Sequence, residues 1–566
     1  MLTACVSDPA PRFGELVEEI WQFQLREDPL LATSVGDGRY NDRLPSVTVA
    51  DQDRRAEARR SFVARLEAVD RARLSAADQL NYDVLLRQLR DELTDHEFQS
   101  YLLPITADWG FHMGIARLPD DMPLVTARDY EHYIGRLAAV REYVDQHIAL
   151  MRRGVEMGFT QPRVVLQGYD ATARAHVVAD PRTSVFYRPF AAFPTTVPQA
   201  ERSGLEARGR EAIVTSVIPA YRALAQFLTE EYLPGARTTI GASEWPNGRA
   251  YYGHLVEHYT TLPLTPEAVH QTGLDEVARI RTDMEEVMGQ VRFRGSFAEF
   301  LRFLRTDSRF YARTPDELLK EASFIAKRMD GKLPSLFKTL PRLPYGVAPV
   351  PDEIAPKFTA GRYIGAPVGS RQPGYYWVNT YALSSRPLYA LEALTLHEAV
   401  PGHHLQIALA QELTGLPPFR RFADVTAFTE GWGLYAEWLG TEAGFYQDPY
   451  RRFGRLTYEM WRACRLVVDT GMHALGWSRE RAMEFMAQNT ALSLHEVRTE
   501  IDRYISWPGQ ALAYKLGELK IRQLRREAEQ ALGAGFDVRD FHDVVLRNGA
   551  IPLSALETQV RAYLAR

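Results

Sequence analysis

The feature that most constrains this sequence is a set of histidines whose spacing no continuous helix can use. Residues 391–406 read Leu-Glu-Ala-Leu-Thr-Leu-His-Glu-Ala-Val-Pro-Gly-His-His-Leu-Gln, and residues 428–437 read Phe-Thr-Glu-Gly-Trp-Gly-Leu-Tyr-Ala-Glu. His397 and Glu398 stand side by side behind an apolar lead-in, His403 and His404 follow, and Glu430 comes one loop and one helix start later. Two neutral imidazoles and a carboxylate are a zinc ligand set, and a free carboxylate beside them can take a proton from water. In the common His-Glu-x-x-His form the histidines are four apart and share a helix face. Here the gaps from His397 are six and seven. On an unbroken helix a gap of six turns side chains roughly 120° apart, and a gap of seven separates them by about 10 Å along the axis. Pro401 cannot donate to the carbonyl of His397 and collides with it, and Gly402 tolerates unusual dihedrals. A bulge over 400–402 is therefore expected to return His403 to the position of the usual second histidine, with His404 as the alternative ligand. Glu398 is the expected general base.

The stretch His-Glu-x-x-Pro-Gly-His-His-Leu-Gln resembles the signature of the domain-of-unknown-function 885 family. The likeness extends to Thr-Glu-Gly-Trp-Gly-Leu-Tyr-Ala-Glu at 429–437 and Trp-Pro-Gly-Gln-Ala-Leu-Ala-Tyr-Lys-Leu-Gly at 507–517. More distantly the chain is similar to the helical gluzincin peptidases: thimet-type oligopeptidases, angiotensin-converting enzyme and Taq-type carboxypeptidases. The resemblance implies a mainly α, zincin-like single domain with two lobes around a deep cleft and a small edge sheet beside the metal helix. It implies one Zn2+ held by His397, His403 and Glu430. Glu437, seven residues after Glu430, is the alternative ligand or an acceptor for a ligand imidazole. Tyr514 matches the place of the oxyanion tyrosine of the thimet-type and Taq-type peptidases, with Tyr504 as a weaker candidate. The aromatic, β-branched run at 374–380 reads as an edge strand, which in gluzincins pairs with substrate backbone, and Asn379 lies on it.

Composition permits the rest. With 566 residues and 46% hydrophobic content there is material for a large core, and the net charge of −5 with scattered Lys and Arg provides no basic field for nucleic acid. Residues 1–10 read as a tail and 11–566 as one domain, with 11–260 as scaffold and lid and 261–566 as catalytic core. Apolar residues recur at helical spacing over 15–25, 56–69, 76–93, 128–157 and 200–228. Thr265-Pro266-Glu267 and Thr314-Pro315-Asp316-Glu317 are helix starts, and the Pro- and Gly-rich run 333–374 reads as an extended connection. The histidines of the first half, His96, His112, His132, His147 and His176, are isolated and read as structural.

The two cysteines, Cys5 and Cys464, make no disulfide framework. Leu2-Thr3-Ala4-Cys5 resembles a bacterial lipoprotein box in which Cys5 carries the lipid. Only four residues precede it, fewer than the apolar segment of about 7–15 that a signal needs. As written, the sequence reads as cytoplasmic; a start further upstream makes it a periplasmic or cell-surface lipoprotein, touching a membrane only through Cys5. No other apolar run approaches the roughly 18 residues of a membrane span.

His473, four residues after Asp469, reads as an oriented imidazole or as the cap of a helix end. Arg465, Arg498, Arg503 and Lys515 are candidates for a substrate carboxylate, and Gln510 joins Asn379, Arg498 and Arg503 as a substrate-binding candidate. The expected function is zinc-dependent hydrolysis of short peptides by metal-activated water. Hydrolysis of another amide or ester at the same centre, or non-catalytic peptide binding by a lipoprotein, are the alternatives.

Overall fold

The computed structural model describes residues 9–352, 354–366, 368 and 372–565, so the Cys5 box lies outside the described residues. Among the described residues the chain is mainly α-helical, with one small three-stranded sheet. It divides into two compact units, one of residues 1–239 with 367–371 and one of residues 240–366 with 372–566.

The first unit is built on helices α1 (Pro9–Glu27), α2 (Val49–Glu67), α3 (Ala76–Glu97) and α4 (Ala127–Met157), followed by a continuous helical run α5 (Gln199–Gly235). Four of the five helical segments expected from apolar spacing fall within one of them, and the one at 56–69 overruns α2 by two residues. Side-chain caps start three of them: Thr48 accepts from the N–H of Asp51, Ser75 from Asp78, and Thr126 with Asp129 forms a reciprocal capping box. Along α4, Tyr133, Leu137, Val140, Val144 and Met151 are fully buried, which is one face of a 3.6-residue period. α5 packs against that helix. It corrects the expectation on membrane spans: by length and composition its most apolar window could cross a bilayer, but 61% of that window is buried within the protein, as in a core helix. His112 and His147 are buried and His176 is partly buried, and desolvation pushes the first two down to about 3 and the third to about 4.

The second unit contains α6 (Gly248–Thr260), α7 (Pro266–Gln290) and α8 (Pro315–Asp330) before the sheet. After it come α9 (Leu391–Glu398), α10 (His403–Glu412), α11 (Thr426–Leu439), α12 (Pro449–His473), α13 (Leu494–Ser506) and α14 (Ala513–Leu532). Thr265 and Thr314 cap α7 and α8 as their sequences predict, accepting from the N–H groups of Ala268 and Glu317. Two close helix crossings hold this unit. α7 lies against α12 at Gly273, where a Cβ would be 2.7 Å from that of Leu466. α11 crosses α14 at Gly431 and Gly517, where a Cβ on Gly517 would be 2.0 Å from the carbonyl oxygen of Ala427.

The sheet corrects two expectations. Strands β1 (Tyr345–Pro349), β2 (Gly361–Ile364) and β3 (Gly374–Val378) are ordered β1-β3-β2, with β3 parallel to β1 and antiparallel to β2. The aromatic strand at 374–378 is therefore central, its Tyr376 fully buried, and the edges are β1 and β2. The run 333–374 is not an extended connection throughout, since it carries both outer strands.

A buried carboxyl ties three pieces of the second unit together. Asp469, on α12, accepts from the Tyr252 hydroxyl of α6 at 2.6 Å and from the N–H of Gly509 at 3.1 Å, fixing the turn that leads into α14. Burial raises its pKa from 3.8 to about 7 against those donors, so its protonated form is favoured by folding. That contribution is complete below about pH 4 and lost as pH rises to about 7, a change of a few kcal/mol. Asp469→Asn keeps an acceptor and removes the titration, so denaturant melts of the two proteins are expected to diverge between pH 4 and 7, with the wild type losing stability relative to the variant. Parallel curves would remove the assignment. At the α11–α14 crossing, Gly517→Ala is expected to destabilise by about 1–3 kcal/mol, because overpacking against Ala427 outweighs the gain of about 1 kcal/mol in helix propensity; an unchanged urea midpoint would contradict it.

Candidate metal centre

All eight residues of α9 are buried. The helix stops at Glu398: Ala399 sits at φ −93°, ψ −112° and Gly402 at φ −76°, ψ −128°, both outside the helical region, and a new helix starts at His403. The chain thus breaks into two helices where a bulge within one was expected. Pro401 contributes no N–H, and its carbonyl accepts from the Trp432 indole at 2.8 Å. Gly402 has a negative φ, so glycine is required there for space and not for its dihedrals: a Cβ would lie 1.9 Å from the carbonyl oxygen of His397.

The break brings the rings of His397 and His403 to 4.6 Å, perpendicular to each other. Glu430, early in α11, places Oε2 at 3.4 Å from Nε2 of His397 and 3.3 Å from Nε2 of His403. One potential ligand atom from each of the three residues falls within 4.8 Å of the others. Glu437, two turns further along α11, pairs with Nδ1 of His397 at 2.8 Å and is itself held by Arg462 at 3.1 Å. This turns the Nε2 of His397 toward Glu430. Gly433 leaves room for that ring, since a Cβ there would be 2.7 Å from its Cε1.

Oε2 of Glu430 is buried with no hydrogen-bond donor, although it lies between two imidazole nitrogens. Burial opposes a charge on His397, yet Glu430 and Glu437 raise its pKa to about 9. Burial likewise opposes the charge of Glu430, and His403 and His397 outweigh it and hold the carboxyl well below its ordinary value. Two imidazoles and a carboxylate oxygen that lacks a donor are ligand types that suit one divalent cation.

Glu398 faces the same cavity, of about 310 Å3, as His397, His403, Glu430 and Tyr514. Its Oε2 accepts the Tyr363 N–H of edge strand β2 at 2.8 Å. The hydroxyl of Tyr363 lies 3.0 Å from Nδ1 of His404, which packs between Tyr345 and Tyr363 and is pushed down to about 4 by burial. His404 is thus outside the three-residue cluster. The Tyr514 ring lies 6.4 Å from that of His397 and nearly parallel to it. Burial and the charge of Glu430 raise its pKa, so the phenol is neutral.

Several candidates are placed elsewhere. Asn379 is buried, donating to the carbonyls of Ala355, Phe358 and Thr359 and accepting from Tyr381, so it locks the approach to β2. His473 is buried at the end of α12, its Nδ1 accepting from Ala242 and its Nε2 facing the carbonyl of Tyr504; it staples that helix end. Arg498 is exposed and does not line the cavity. Tyr504 takes the Trp461 and Arg465 donors, and Lys515 is enclosed by Glu276, Glu459 and Glu518. Gln510, Arg465 and Arg503 do line the cavity. Tyr363 and Arg462 were not singled out from sequence: nothing in Gly-Arg-Tyr-Ile marks the first, and the second is one arginine of several on an amphipathic helix.

No curated protein matches the chain. A crystal structure described as "the putative lipoprotein from Colwellia psychrerythraea" superposes with a TM-score of 0.91 at 29% identity, covering 99% of this chain and 100% of that one. A second, described as "a putative lipoprotein of unknown function from Shewanella oneidensis", has a TM-score of 0.72 at 17% identity over 96% of this chain and 99% of its own, and shares the fold. Residues 29–560 match the family described as bacterial protein of unknown function, DUF885, and the chain belongs to that family.

Proposed function

We propose that this chain is a zinc-dependent peptidase acting on short peptides, with Glu398 as general base. The observation that carries the reading is the convergence of His397, His403 and Glu430 within 4.8 Å beside a carboxylate, Glu398, that belongs to the same cavity but not to the cluster. A structural site closes its coordination and has no use for such a base. Zinc held by those three residues would supply Lewis acidity and ease the deprotonation of water.

The remaining roles fall to the protein's own groups. Tyr363 holds one oxygen of Glu398 through its N–H, leaving the other to accept a proton from water and deliver it to the departing amine. The neutral phenol of Tyr514 is suited to donate to the oxyanion that develops on the attacked carbonyl. Glu437 fixes the orientation of His397 from behind. The edge strand β2 contributes Gly361, Arg362 and Tyr363 to the cavity wall, which suits an extended peptide bound through its backbone.

The description of the Colwellia psychrerythraea neighbour as a lipoprotein supports a further part of this reading, that Leu2-Thr3-Ala4-Cys5 is a lipidation box and the protein sits at the cell envelope. Expressed behind a bacterial signal segment with labelled fatty acid, the wild type is expected to carry label and Cys5→Ala none; an unlabelled wild type would end this part of the proposal.

For the centre, Glu398→Gln is expected to retain metal and lose about 10²- to 10⁴-fold in turnover. His397→Ala and His403→Ala are expected to lose both metal and turnover, and His404→Ala to keep the metal. Metal content by mass spectrometry, with cleavage of a peptide library, reads all four. Zinc lost only from the His404 variant would displace His403, and undiminished turnover in the Gln variant would remove Glu398. Metal-replete protein that binds peptides stoichiometrically and cleaves none would favour a binding protein.

A further inference from the structure

We infer that Arg465 and Arg503 form a carboxylate-binding subsite on the wall of the cavity that carries the metal cluster, and that the substrate is a peptide presenting a negative charge there. The inference rests on the peptidase reading and adds the substrate class to it.

Arg465, on α12, is 2% exposed. Its guanidinium lies 4.4 Å from the Trp461 ring centre and 4.2 Å from that of Tyr514, so aromatic faces fix its plane. In that plane Nε donates to the Tyr504 hydroxyl at 2.6 Å and Nη2 to Glu500 at 3.1 Å. Nη1 is buried and has no hydrogen-bond partner. A buried guanidinium with an open donor is costly unless something completes it. The ring that stacks on it, Tyr514, has its centre 6.4 Å from that of His397, and Arg465 lines the same cavity as His397, His403 and Glu430.

Arg503, on α13, shares the same acceptor: its Nη2 is 3.2 Å from Oε2 of Glu500, the oxygen that Arg465 also uses, while its Nη1 donates to Gln510 at 3.0 Å. One carboxylate thus serves two cations, and within this trio the charges do not cancel. Of the other cations around the cavity, Arg462 holds Glu437 at 3.1 Å, Lys515 behind the wall is surrounded by three glutamates, and Arg362 of β2 lines the wall but is exposed. A planar, rigidly held guanidinium edge matches a carboxylate better than any neutral group. The carboxylate can belong to a free C-terminus or to an acidic side chain.

The test uses full-length, zinc-loaded Glu398→Gln protein for calorimetric binding and the wild type for cleavage. The probes are N-acetylated pentaalanine as free acid and as C-terminal amide, and amidated peptides that differ only in Glu or Gln at the last position. Charged probes are expected to bind about 10- to 100-fold more tightly than uncharged ones. Whichever charged probe gains identifies the source. Adding Arg465→Lys is expected to cost the charged probe about tenfold or more while leaving the uncharged amide unchanged, because the fork is lost and the charge is kept. Should that variant fail to fold, the comparison of probes on protein with Arg465 intact decides alone. Charged and uncharged probes binding within about twofold of each other would overturn the subsite, as would no binding of any probe. Charge-dependent binding without wild-type cleavage would sink the peptidase reading and keep the subsite; cleavage indifferent to charge would do the reverse.

Discussion

The contact between Gly402 and the carbonyl of His397 is the one on which the rest of the site depends. Without a Cβ the chain folds back onto the end of its own helix and starts another at once, bringing two imidazoles to 4.6 Å that a straight helix would hold apart. Any side chain at 402 would push the second helix away from the first. The backbone groups freed by the break are not left open: the Pro401 carbonyl takes the Trp432 indole, and the His404 N–H reaches the Ala399 carbonyl. Trp432 sits on α11, two residues after Glu430, so the helix that seals the break also delivers the third member of the cluster.

The second requirement is that α11 stay where it is, and this is met by close packing and buried charge together. The Gly431–Gly517 crossing sets α11 directly on α14 and so brings Glu430 and Tyr514 to one cavity. Around it the interior holds Glu437 with Arg462, Glu500 with Arg465 and Arg503, and Lys515 with Glu459 and Glu518. Ion pairs so deeply buried gain little net stability over apolar packing. Their effect is directional, because each pins a long side chain that lines or backs the cavity.

The sequence made the cluster legible because its evidence is local. The His-Glu, Pro-Gly and His-His elements lie within eight residues, and the helix-breaking chemistry of proline needs no tertiary context. Helix positions were legible for the same reason, through apolar period and Thr-Pro caps. The misreadings of the sheet and of the isolated candidate side chains involve partners distant in sequence. The strand at 374–378 reads as an edge because its own residues do not say that two short, glycine-containing segments flank it. Asn379 and His473 look functional in isolation, and only the chain segments folded around them reveal that their polar atoms are spent. Among the arginines, Arg498 and Arg503 are five residues apart on one helix and indistinguishable by type, yet one is exposed and the other lines the cavity.

Tyr363 shows how far such dependence runs. Its backbone holds Glu398 and its hydroxyl meets His404, so a single edge-strand residue touches both helices that flank the break. That position exists only because β2 pairs with β3, register Tyr363 against Tyr376, and because Asn379 ties down the segment that enters β2. The orientation of the catalytic candidate is thus governed by the sheet. A central strand with no group in the cluster is as necessary to the site as the helices that carry its histidines, and its buried Tyr376 is the residue against which Tyr363 is registered.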